Sequence, residues 1–113
     1  MKLIDDRKQE TKAVKDALRA IGMNPIKVTH GRGTAWGWMD VHISVPDLFH
    51  VTQEGRELKR SERAAADFPR CVDDCPACTA YRKIDAEALA TIQRVTGRKG
   101  DYDGRINITQ ETV

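Results

Sequence analysis

Hydrophobic positions along the chain recur with two periods, and each period marks out its own elements. Ala13, Val14, Ala17, Leu18 and Ile21 form an apolar stripe at helical spacing, with Lys8, Lys12, Lys15 and Arg19 outside it. The stripe predicts a helix over 5–21, capped by Asp5 or Asp6 and ended by Gly22, which tolerates the left-handed conformation of a helix stop. Beyond Pro25, residues 26–30 alternate as a strand. Gly31-Arg32-Gly33-Thr34 turns the chain into a second strand over 35–45, which Pro46 and Asp47 stop. A second stripe, Ile84, Ala88, Leu89, Ile92 and Val95, predicts a helix over 84–96 that opens near Asp85 and closes at Gly97. Asp101-Tyr102-Asp103-Gly104 has turn chemistry, and Arg105 to Thr109 alternates as a final strand.

The order is α-β-β-insert-α-β, an α+β class in which a three-stranded sheet packs two helices on one face. The third strand is expected to return beside the first. Successive strand side chains point to opposite faces, so Met39, Val41, Ile43 and Val45 share the covered face with Ile26, Val28, Ile106 and Ile108. The other face then carries Lys27, Thr29, Trp36, Trp38, Asp40, His42, Arg105 and Asn107. Residues 47–80 form an insert with few apolar positions, and its charged stretch from Glu54 to Arg63 suits a solvated helix or a loop. Folded over the outer face, the insert would turn the two tryptophans into a second small core.

Composition narrows the class without naming a function. A chain of 113 residues makes a single domain, and 40% apolar with 32% charged residues is ordinary for a globular protein. The 19 basic and 17 acidic groups nearly balance, so the surface as a whole offers no strong field to nucleic acid or anionic lipid. No apolar run approaches the ~18–20 residues that cross a bilayer, and the acidic N-terminus does not read as a signal peptide. A cytoplasmic, reducing compartment is expected, which disfavours disulfides, as does an odd number of cysteines.

All three cysteines lie within Cys71-Val-Asp-Asp-Cys75-Pro-Ala-Cys78. Cys75 and Cys78 have the C-x2-C spacing of a zinc knuckle, and Cys71 adds a third thiolate from the same loop. A fourth ligand could come from His42, Asp73, Asp74 or His50. His50 is the preferred one, because it sits at the other end of the insert and would staple it shut. Metal binding would supply free energy that such a polar segment cannot gain by burial. The bland alternative is three reduced, partly buried thiols. Cys75 and Cys78 also fit a thiol redox pair at a helix start, although thioredoxin-like folds place that motif after an early strand. C-x3-C-x2-C is the cluster spacing of radical S-adenosylmethionine enzymes too. Those need a large barrel, and usually an aromatic where this chain has Ala77.

The remaining chemistry is sparser. Trp36 and Trp38 beside Lys27, Arg32 and Arg105 form an alternative site, a stacking platform for single-stranded nucleic acid. The element order resembles the type II KH fold, but no Gly-x-x-Gly loop lies where that fold needs one. The Gly31–Thr34 turn lacks the lysine and following helix of a P-loop. His30, Asp40 and His42 lack a companion nucleophile, and no serine sits in a catalytic motif. Asp101 and Asp103 read as turn residues.

Two segments, His30-Gly-Arg-Gly-Thr-Ala-Trp-Gly-Trp-Met39 and Thr96-Gly-Arg-Lys-Gly-Asp-Tyr-Asp-Gly-Arg-Ile-Asn107, resemble a small domain associated with large polyvalent proteins of phages and plasmids. The resemblance covers about half the chain. It implies an accessory protein of a mobile genetic element and brings no catalytic residues. The expectation is therefore a non-enzymatic accessory or binding module with a zinc knuckle, its partner a protein or a single-stranded nucleic acid, with no membrane association.

Overall fold

The computed structural model describes residues 7–30, 38–98 and 104–112. The turn at 31–34, with Arg32, and Trp36, Asp101 and Asp103 lie outside the described residues. The first stripe forms helix α1 (Arg7–Ala20), with Val14 and Leu18 fully buried. It ends in a two-bond cap: Gly22 N–H donates to the carbonyl of Arg19 (3.0 Å) and Met23 N–H to that of Leu18 (2.9 Å). Gly22 takes φ +84°, the left-handed value this cap needs. Ile21, expected inward, lies past the last helical turn and is exposed.

Strand β1 (Asn24–His30) pairs antiparallel with β2 (Met39–Val45), and β2 pairs parallel with β5 (Ile106–Thr112). The sheet order is β1-β2-β5, so the last strand lies beside the second and not beside the first. Pro25 and Lys27 explain the reversal. Pro25 lacks a ladder donor and Lys27 is exposed, both marks of an edge strand, whereas β2 is wholly regular and buries Met39, Val41, Ile43 and Val45. A bulge sits at Ile26: Pro25 opposes Ile43, yet Lys27 opposes His42. That extra residue flips the parity, so Pro25 and Val28 face inward and Ile26, expected in the core, points to solvent.

The insert is ordered. Strands β3 (Phe49–Val51) and β4 (Glu57–Lys59) form a small hairpin, followed by the short helix α2 (Arg60–Ala65). The insert packs on helix α3 (Pro76–Thr96) and against the end of β5, where Arg60 donates to the Gln110 carbonyl at 2.8 Å. It leaves Lys27, Thr109 and Glu111 of the outer sheet face exposed, contrary to the expected cover. Helix α3 starts eight residues before the expected 84, at Pro76, and is ended by Gly97 at φ +75°.

α1 and α3 cover the inner face, joining Val14, Leu18, Ala88 and Ile92 to the β2 row. A buried ion pair ties their far ends. Glu10, 3% exposed, accepts from Arg98 Nε at 3.0 Å and Nη2 at 2.8 Å, with His30 Nδ1 3.8 Å away. Among the described residues, no helix is long and apolar enough to cross a membrane.

Candidate metal centre

Four segments converge where the insert meets α3. On β3, His50 pairs with Leu58 of β4, which fixes its backbone, and its side chain is buried. Thr52 forms a single antiparallel bridge with Cys71, and Val72 N–H donates to the Val51 carbonyl at 3.0 Å. The chain then turns, Cys75 N–H donating to the Val72 carbonyl at 3.1 Å, so that Cys75 becomes the N-cap of α3. Pro76 follows at the first helical position, where its missing N–H costs nothing. Cys78 comes from the first turn of the same helix.

The ligand atoms of His50, Cys71, Cys75 and Cys78 all lie within 4.8 Å of one another. His50 Nδ1 is 3.5 Å from the Cys71 sulfur, 3.5 Å from that of Cys75 and 3.4 Å from that of Cys78. One ring nitrogen carries either one proton or one lone pair, so it can share a hydrogen bond with only one of these sulfurs. Tetrahedral zinc, with bonds of ~2.3 Å to sulfur and ~2.0–2.1 Å to nitrogen, would set each N···S edge near ~3.6 Å. The observed edges match that figure. Asp73 and Asp74, the nearby carboxylates, are exposed, and His42 is elsewhere, bonded to Glu111 at 2.9 Å.

Second contacts hold the sulfurs and the ring. Val51 N–H points at the Cys75 sulfur, at 3.4 Å. Burial raises the pKa of the Cys75 thiol, but the backbone N–H groups of Cys78 and Val51, together with the Cys78 and Cys71 thiols, outweigh it and leave the pKa lowered. The Cys78 thiol is pushed up to about 11 by burial, helped by the neighbouring sulfurs. His50 is held below its ordinary pKa by burial first, then by the charges of Arg63 and Arg60, so its ring favours the neutral form that coordinates metal. Tyr81, which the sequence reading did not single out, braces the insert. Its hydroxyl donates to the Pro46 carbonyl at 2.6 Å and accepts from Leu48 N–H at 2.9 Å, while its ring lies 5.7 Å from that of His50. Its signal was the helical phase Ala77, Tyr81, Ile84, Ala88, which continues the α3 stripe back toward the cysteines.

The sheet-face candidates are less well gathered. Arg105 lies over the Trp38 ring at 5.1 Å, and Lys27 stands across from His42 on the edge strand. Asp40, bonded to Asn107 at 3.1 Å, and Glu111 add carboxylates to the same face. His30 bonds Thr11 of α1 at 3.2 Å, so it does not join Asp40 and His42. Comparison of the chain with protein-family models, curated proteins and solved structures returns no match.

Proposed function

We propose that the chain is a non-enzymatic binding or accessory module whose insert is closed by a structural zinc ion held by His50 Nδ1, Cys71, Cys75 and Cys78. The observation that carries this reading is the single imidazole nitrogen at near-equal distance from three sulfurs. Three thiols and one neutral imidazole are a zinc-preferring set, and they fill all four tetrahedral positions. A catalytic zinc keeps one position open for water or substrate; this arrangement leaves none. The ion has a structural task to perform, because α2 buries no residue and the hairpin buries only Leu58, His50 and Thr52.

Metal content measured on protein purified under reducing conditions, without chelator, tests the reading. One zinc per chain is expected. His50→Ala should weaken zinc by more than the ~10–100-fold typical of losing an outer-shell partner. Protein that carries no metal and alkylates rapidly at Cys75, or that forms a reversible Cys75–Cys78 disulfide, would overturn it in favour of thiol redox chemistry.

A further inference from the structure

His50 also borders a cleft of about 420 Å³ that the cysteines do not line. The cleft opens between α2, β3 and the end of β5, and two of its walls are Arg60 and Arg63. These are one helical turn apart on α2, so both project from one side of it. Both are half-buried, and among the described residues neither forms an ion pair with a carboxylate. Each guanidinium is held in place by neutral groups instead. Arg60 donates through Nη2 to the Gln110 carbonyl and lies 5.6 Å from the Tyr81 ring centre. Arg63 donates through Nε to the Pro69 carbonyl at 3.0 Å and lies 5.6 Å from the Phe68 ring centre. Asp47, the acidic group nearest in the chain to β3, is engaged by the Ser61 hydroxyl and N–H.

A guanidinium has five N–H donors, and one bond each leaves most of them available. Two fixed, half-buried cations, with no carboxylate at ion-pair distance among the described residues and Asp47 held on Ser61, favour an anion, and the planar fork suits phosphate oxygens. The rim adds a second element of recognition. Asp67 and Phe68 both sit at positive φ, +63° and +53°, a conformation that costs each non-glycine residue about 1–2 kcal/mol. The turn lifts the Phe68 ring out to 64% exposure, with the Arg63 guanidinium near it and much of the ring open. Exposed aromatic faces stack flat heterocycles.

We propose that this cleft binds a phosphomonoester carrying a planar ring, a mononucleotide in chemical class, with Arg60 and Arg63 gripping the phosphate and Phe68 stacking the base. A cleft of 420 Å³ lies at the small end of ligand sites, enough for one such molecule.

Calorimetric titration of the zinc-loaded full chain with adenosine monophosphate, adenosine and inorganic phosphate tests the site. The nucleotide should bind about tenfold or more tightly than either fragment, and less tightly as salt rises. Arg63→Met should weaken nucleotide and phosphate alike by about tenfold or more, at unchanged zinc content. Phe68→Ala, at an exposed position that leaves the fold intact, should bring the nucleotide down to the level of phosphate alone. Absence of binding at millimolar nucleotide, nucleotide affinity unchanged in both variants, or binding of a single-stranded oligonucleotide without binding of the mononucleotide would each overturn the proposal.

Discussion

At the scale of single residues, the centre is set by groups that touch its ligands. The Tyr81 hydroxyl bridges Pro46 and Leu48, so Tyr81→Phe would break two part-buried hydrogen bonds, from the Leu48 N–H and to the Pro46 carbonyl. A loss of about 0.5–1.5 kcal/mol is expected in urea unfolding, with the metal content of the wild-type chain retained. His50 makes a second prediction, of sign as well as size. Its folded pKa lies below the ordinary 6.5, so between the two values the unfolded chain binds more protons than the folded one. Stability should therefore hold above pH 6.5, fall as pH drops through it, and level off below the folded pKa. Zinc release has the same direction, since protons compete for the same nitrogen. Melting temperature and bound zinc followed together across pH 5–8 check both. The three cysteines could be read as a site from spacing alone. His50, the fourth member of the cluster, is 21 residues from Cys71 and has no spacing signal beyond its place at the far end of the insert. Arg60, Arg63 and Phe68 carried no such spacing, because a hairpin and a left-handed turn bring them to one cleft.

At the scale of elements, the regular strand was easy to read and the irregular ones were not. Met39, Val41, Ile43 and Val45 alternate without interruption and are all buried. Ile26 alternates equally well on paper, but the bulge sends it outward, and no local signal separates the two cases. The contrast is measurable. Ile43→Ala should cost about 2–5 kcal/mol, whereas Ile26→Ala should stay within about 0.5 kcal/mol in the same denaturation assay. The start of α3 was legible in principle. Pro76 after a cap residue is a helix-opening signal, but Arg82 and Lys83 interrupt the apolar reading and moved the expected start to 84. Cys75 and Cys78 thus belong to a helix N-terminus, where backbone N–H groups favour the Cys75 thiolate, while Cys71 lies in the bridge to Thr52 before it.

At the scale of the molecule, the composition and the element order point to the α+β class, but the last strand, expected beside β1, lies beside β2. Its place beside β2 has a kinetic consequence. Met39 pairs with Ile106, so the central contact of the sheet joins residues far apart in the chain, and such contacts slow folding. Antiparallel β1 and β2 can meet early; β5 must wait until α3 has carried the chain back. The proposed zinc ion, bridging β3 and the first turn of α3, would shorten that search by clipping the insert out of the loop to be closed. Halving an effective loop is worth only ~0.6 kcal/mol, about a threefold rate. Stopped-flow refolding in zinc should outpace refolding in chelator by that modest factor, while unfolding of the zinc-loaded chain slows far more. Equal refolding rates would mean that the ion is captured after the slow step, as a lock on a sheet already formed.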